Sequence, residues 1–182
     1  MADGRDPATG YAAPVREILP RSASIIEAFR ESPSSDHPAG PVFDVARKLA
    51  DQHQQQWRAE DVSRDSNASA ETIAESKRFI DDLNSRRVAL VERIDEWVAA
   101  RIHYQADASL HTETLGSVID RLAIAWVRVN CLTTHDVRDR ARLALRQLAE
   151  LADAYDDLVR DVDAGRRRLP MWRHLKTYRS GS

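Results

Sequence analysis

Four long segments of the chain repeat apolar residues at three- and four-residue steps, and this periodicity limits the fold more than any other feature. Each segment presents one apolar face of an α-helix, and no candidate β-strand is found. The segments begin near Phe43, Ser69, Thr112 and Asp136, and the last one ends at Gly165. Because the connections are short, we predict an all-α fold, an antiparallel bundle of four long helices.

The N-terminal part of the chain is predicted to be mostly irregular. Six of the seven prolines lie within residues 1–41, and proline interrupts helices. Only the stretch 24–31 favours a short docking helix, because Ile25, Ile26 and Phe29 cluster there. The predicted divisions are an irregular Pro-rich N-terminal segment (1–42), a helical bundle domain (43–165) and a basic C-terminal segment (166–182).

Composition and charge indicate a protein of the cell interior. A net charge of −2 and a pI of about 6.3 argue against a dedicated nucleic-acid binder, which needs an excess of Lys and Arg. No run approaches the length of a membrane span, and the N-terminus lacks the basic start and apolar run of a signal peptide. Cys131 is the single cysteine, so no internal disulfide can form. We expect a cytoplasmic protein.

Polar side chains interrupt the faces that the periodicity directs inward. Glu60 and Arg64 lie four residues apart on the first long helix, and Arg87 interrupts the apolar stripe of the second. Further polar residues flank these stripes or lie around Gly116 on the third helix: Asp61, Lys77, Asp81, Asn84, Glu113, Asp120 and Arg121. Buried charges must be paired or must bind something, so these residues form the candidate site.

Two interpretations of these charges remain open. In the functional one, Arg64, Lys77 and Arg87 hold an anionic group while an acidic residue moves protons or binds hydroxyls. In the structural one, the charges form a buried ion-pair network that fixes helix register. The predicted catalytic residues are Glu60 and Asp81. The predicted ligand-binding residues are Asp61, Arg64, Lys77, Asn84, Arg87, Glu113, Asp120 and Arg121.

Motifs for metal and nucleotide chemistry are missing from the sequence. Carboxylate-bridged di-metal bundles need Glu-x-x-His pairs, and none occurs. The histidines show no mutual ligand spacing, and neither a Gly-x-Ser-x-Gly elbow nor a Gly-rich phosphate loop is present. We therefore predict no metal and no cofactor.

The segment 166–179 contains six basic residues and no acidic one. Such a segment can touch RNA or an anionic membrane surface, or it can fold over the acidic remainder of the chain. We favour docking on the bundle, because Trp172 and Leu175 supply apolar anchoring area.

Two sequence blocks match a known family pattern. The first contains Trp57-Arg-Ala-Glu60-Asp61, Arg64, Lys77-Arg78, Ile80-Asp81, Asn84 and Arg87, and the second is Glu113-Thr-Leu-Gly-Ser-Val-Ile-Asp-Arg-Leu122. They resemble the bacterial domain-of-unknown-function family 4254 over about residues 43–178, with a weak closing match at 176–178. The resemblance implies a helical protein in a biosynthetic setting, without an assigned reaction. The pattern also includes the acidic and basic residues of the candidate site.

These observations favour a small-molecule-binding helical bundle. We predict a metal-independent acid-base biosynthetic enzyme that acts on an anionic or sugar-like intermediate. Whether the chain forms homo-oligomers is left open by the sequence. A chorismate-handling mutase or lyase is one concrete version, since such bundles hold a dicarboxylate with Arg and Lys. The alternative is a non-enzymatic adaptor or scaffold whose buried charges are structural.

Overall fold

The computed structural model describes residues 18–30, 40–104, 106–134 and 138–171, which form five α-helices and two short strands. The helices are α1 (Ser22–Ala28), α2 (Gly40–Arg64), α3 (Ala70–Ala99), α4 (Leu115–Thr134) and α5 (Arg138–Asp163). The strands are β1 (Ser109–Leu110) and β2 (Arg167–Arg168). The predicted all-α class is confirmed, whereas the expectation that the chain has no strands is wrong.

Two predicted helix ends are confirmed by their hydrogen bonds. The Ser69 hydroxyl accepts from the Thr72 backbone N–H at 3.1 Å, so it caps the start of α3. Gly165 has φ 72° just beyond α5, and the Arg166 N–H donates to the Asp161 carbonyl at 2.8 Å. A glycine in the left-handed region, followed by a hydrogen bond back to a carbonyl five residues earlier, is a common way for a helix to end.

Other helix boundaries differ from the prediction. The cap of α4 is Thr114 rather than Thr112, because the Thr114 hydroxyl accepts from the Ser117 N–H at 3.2 Å. Helix α3 ends at Ala99 rather than near Tyr104, since the chain turns there to bury Ile102. Helix α1 is shifted by about two residues, and α2 begins at Gly40 with Pro41 in its first turn, where a missing N–H costs nothing. The predicted start at Asp136, and residues 1–17 and 31–39 of the N-terminal segment, lie outside the described residues.

Three of the long helices pack against one another. The Gln52 side chain of α2 donates to the Leu83 carbonyl of α3, while later residues of α2 face earlier ones of α3, so the two helices run in opposite directions. Helix α4 contacts both of them, and its Gly116 lies beside Asp95 while its Asp120 lies beside Arg87. Helix α4 therefore runs opposite to α3.

Helix α5 packs on α4 and not, within the described ranges, on α2 or α3. The arrangement is thus a three-helix unit with α5 added to one side, rather than a closed ring of four. The short helix α1 lies against α2, α4 and α5. Its Ser22 donates to both Asp156 carboxylate oxygens, from the backbone N–H at 2.7 Å and the hydroxyl at 2.9 Å. Phe29 packs on Trp126 with ring centroids 5.7 Å apart.

A parallel pair of two-residue strands joins the loop before α4 to the segment after α5. The His111 N–H donates to the Arg168 carbonyl at 2.8 Å, and the adjoining Leu169 is buried in the core. This part of the basic C-terminal segment therefore docks on the helices. The anchors predicted for the rest of it, Trp172 and Leu175, lie outside the described residues.

Candidate functional site

A buried carboxylate joins the three mutually packed helices at one point. Asp120 of α4 is only 2% exposed, and its carboxylate accepts from three donors on two other helices. The Arg87 guanidinium of α3 donates from Nε at 3.0 Å and from Nη2 at 2.6 Å, and His53 Nε2 of α2 lies 2.8 Å from Oδ1. Asp120, Arg87 and His53 thus form a triad around a buried carboxylate, and this triad links α2, α3 and α4.

The charge state of this triad follows from its surroundings. Burial by itself raises the pKa of the Asp120 carboxyl, but the hydrogen bonds from His53 and Arg87 outweigh it and hold the pKa below its ordinary value. Asp120 is therefore ionised near neutral pH and can only accept hydrogen bonds. It follows that His53 Nε2 carries the hydrogen in its contact with Asp120.

Acid should weaken this triad, and the direction of the effect follows from the lowered pKa of Asp120. A carboxyl whose folded pKa lies below its unfolded value stabilises the fold above the unfolded pKa, and that contribution is lost as the pH falls through the folded pKa. In Asp120→Asn, stability should consequently fall less steeply than in the wild type below about pH 5. Urea unfolding at a series of pH values measures this, and parallel curves for the two proteins would contradict it.

A cleft of about 190 Å³ opens beside the triad, between α2, α3 and α4. Its lining combines apolar and charged side chains: His53, Gln56, Trp57, Glu60, Arg87, Ile124, Val127 and Arg128. Arg87 is 38% exposed and uses Nε and one Nη nitrogen on Asp120, so N–H groups remain that can face the cleft. Arg128 adds a second guanidinium to the lining.

Glu60 places a carboxylate in the same cleft. Arg64 Nη2 donates to Glu60 Oε2 at 2.7 Å, and Gln56 Nε2 donates to Oε1 at 3.3 Å. The Gln56 Oε1 atom is buried and has no hydrogen-bond partner within the described part of the chain. An acceptor of this kind is costly when it stays unsatisfied, so a ligand hydroxyl or a water molecule would stabilise it.

The structure brings together only part of the predicted site. Glu60 and Arg87 line the cleft, and Asp120 lies beneath it. The expected inward position is wrong for Arg64, which is exposed, and Asp81, which was expected to flank the apolar stripe of α3, is exposed as well. Arg64 is the last residue of α2, and the stripe of that helix faces water there. The predicted residues outside the cleft are Asp61, Arg64, Lys77, Asp81, Asn84, Glu113 and Arg121.

Some of the predicted residues outside the cleft form a surface ion pair or line another opening. Glu113 Oε1 accepts from Arg121 Nη2 at 2.5 Å on the outside of α4, so that pair is a surface contact. Asp61 lines a neighbouring cleft of about 230 Å³ that contains Cys131. Burial raises the pKa of the Cys131 thiol, which keeps it protonated near neutral pH and agrees with its expected role as a small apolar residue.

Three polar lining residues, His53, Gln56 and Arg128, were absent from the predicted site. His53 recurs with Trp57 and Glu60 on one face of α2, so the spacing i, i+4, i+7 contained the signal that could have found it. Gln56 lies three residues after His53 and four before Glu60, so it shares this face, whereas Arg128 carries no such signal. Which face of α4 meets α2 depends on tertiary packing, and the sequence pattern alone does not give it.

The chain is a helical protein in which the buried Asp120 carboxylate lies beside a small cleft lined by charged side chains. Within the described ranges, no helix combines the length and apolarity needed to cross a bilayer. A family model described as "Protein of unknown function (DUF4254)" matches residues 44–171, and the chain belongs to this family. No curated protein and no solved structure matches the chain.

Proposed function

We propose that the cleft between α2, α3 and α4 binds a small anionic molecule that also carries hydroxyl groups, such as a sugar acid or another carboxylated intermediate. The observation that carries this proposal is the pairing of two guanidinium groups with a carboxylate and a buried amide oxygen around one opening. Arginine N–H groups bind carboxylates and phosphates, while the carboxylate and the amide oxygen accept from hydroxyls.

The charge balance of the cleft limits the kind of ligand that it can bind. Arg87 is neutralised by Asp120 and Glu60 by Arg64, so Arg128 supplies the remaining charge of the lining. A single excess positive charge suits a monoanion better than a dianion. The volume of about 190 Å³ is below the usual range for drug-sized ligands and therefore favours a compact molecule.

Glu60 is the residue we assign to acid-base chemistry. Its carboxylate lies in the cleft, and Arg64 and Gln56 hold its two oxygens in place. A carboxylate so oriented takes a proton from a bound hydroxyl or an acidic C–H group and returns it later in the reaction. This role needs no metal. Asp81 is not part of the proposal, because it lies outside the cleft. The cytoplasmic location and the biosynthetic setting stay predictions.

The test is a thermal-shift screen of the full chain against sugar acids, hydroxy acids, sugar phosphates and nucleotide sugars. A ligand at about 100 times its Kd stabilises the fold by about 2.7 kcal/mol, which corresponds to a Tm rise of roughly 5–10 °C. We expect such a rise for a compact hydroxylated monoanion and its loss in Arg128→Gln. Arg121→Gln is the matched control, because it removes an exposed guanidinium of the same helix outside the cleft.

Glu60→Gln separates binding from catalysis. It should keep the ligand-dependent Tm rise and lose turnover, because an amide accepts hydrogen bonds but does not exchange protons near neutral pH. A rise in Tm that survives Arg128→Gln would place the ligand elsewhere and contradict the proposed site.

The second candidate function is a non-enzymatic scaffold. It is favoured by the Asp120 carboxylate, whose hydrogen bonds to Arg87 and His53 are complete without a ligand, so the triad can serve helix register alone. This alternative predicts no Tm rise with any member of the panel and no effect of Glu60→Gln or Arg128→Gln.

A further inference from the structure

A second opening lies between α2 and α3, and its lining differs from that of the ligand cleft. This apolar groove has a volume of about 380 Å³, and the residues around it are Gln55, Arg58, Ala59, Val62, Glu75, Ser76 and Phe79. Val62 is 44% exposed and Phe79 is 43% exposed. Two large apolar side chains thus lie half-exposed on the walls of one groove, one from each helix.

The edge of the apolar groove carries one charge of each sign. Arg58 comes from α2 and Glu75 from α3, and within the described chain neither side chain takes part in an ion pair. A partner of uniform charge would satisfy one of these residues and be repelled by the other. A surface with opposite charges on its two walls is complementary to a copy of itself turned by a two-fold axis.

We propose that the apolar groove is the interface of a symmetric homodimer. Phe79 of each copy packs against Val62 and Ala59 of the other, and Arg58 of each copy pairs with the partner's Glu75. Because a two-fold axis repeats every contact, the interface contains two such ion pairs and two buried phenyl groups. An interface built from one groove buries an area at the small end of the usual range for protein–protein interfaces. The dimer is therefore weak and reversible, with a Kd in the micromolar range.

This dimer is independent of the proposed ligand cleft. The apolar groove and the cleft use different residues of α2, since Gln55, Arg58 and Ala59 line the groove whereas Gln56, Trp57 and Glu60 line the cleft. Failure of one proposal therefore leaves the other standing.

Sedimentation velocity of the full chain from about 2 to about 200 µM tests the interface. The wild type should shift from monomer to dimer over this range, and Phe79→Asp should weaken dimerisation by about 100-fold, because each dimer loses two buried anchors. Leu143→Asp is the matched control, since Leu143 of α5 is 52% exposed and lies outside the groove. Circular dichroism melting of each variant verifies that it is folded.

Charge reversal tests the register of the two copies. Arg58→Glu and Glu75→Arg should each weaken the dimer by about tenfold, because each places like charges in contact twice. The double variant Arg58→Glu/Glu75→Arg should restore wild-type affinity. A wild type that is monomeric at all concentrations, a dimer that Phe79→Asp leaves intact, or a double variant as weak as the single ones would overturn the proposal.

Discussion

Asp120→Ala is expected to lower the free energy of unfolding by about 3 kcal/mol. The substitution removes the acceptor shared by His53 and Arg87, and His53 is buried. Breaking a buried ion pair by removing one partner costs about 3–5 kcal/mol. The value at the lower end applies here, because Arg87 is partly exposed and water can solvate its released N–H groups. Urea denaturation followed by circular dichroism measures the change.

Asp82→Ala provides the comparison for this prediction. Asp82 is an exposed aspartate of α3 and forms a surface pair with Arg86 four residues later. Exposed pairs of this kind are worth about 0–1 kcal/mol. If Asp120→Ala costs no more than Asp82→Ala, the triad does not hold the three helices together.

Gly116→Ala should also be strongly destabilising, by about 2 kcal/mol, although alanine is the better helix former. A Cβ atom at Gly116 would lie 2.5 Å from the Val91 carbonyl oxygen and 2.8 Å from Asp95 Oδ1. The carbonyl belongs to the backbone of α3, so α3 and α4 would have to move apart. The helix-propensity gain of about 1 kcal/mol is too small to offset this overlap. The midpoint of urea unfolding should fall.

Thr133→Ala is the matched control on the same helix. Thr133 is exposed, and its hydroxyl donates only to the Val129 carbonyl of its own helix, so alanine gains propensity there without a steric conflict. We expect this variant to be neutral or slightly more stable than the wild type. A Gly116→Ala variant of equal or higher stability would show that the close approach of the two helices is not needed.

Much of the helical fold could be predicted from local pattern and capping chemistry. The faces of the long helices follow from apolar spacing, and Ser69 and Gly165 are local signals whose effect does not depend on distant contacts. The position of α5 could not be predicted, because an amphipathic face does not identify the helix that packs against it. The two strands could not be predicted either, for a related reason. A strand of two residues carries no detectable alternation, and each strand pairs with a segment that is distant in the chain.

The candidate site could be predicted in part, and the limit is physical. Arg87 of α3 and Asp120 of α4 lie where these two helices face each other, and the two side chains are hydrogen-bond partners. Arg64 obeys the same spacing but is the last residue of α2, where its side chain is exposed, and Asp81 lies on a face of α3 that faces water. Periodicity gives the direction of a side chain from its helix axis but not whether another helix lies in that direction.

The short helix α1 depends for its stability on its contacts with the rest of the fold. Seven residues are too few to stay helical alone in water, since isolated helices become stable only above about 12–15 residues. The order of this segment therefore depends on tertiary contacts: Ser22 with Asp156, the Tyr155 hydroxyl with the Pro20 carbonyl, Phe29 with Trp126, and Ile25 buried in the core. Release of α1 exposes Ile25 and Phe29, which are buried in the core, so amide exchange in α1 reports on the contacts that this helix makes with α2, α4 and α5.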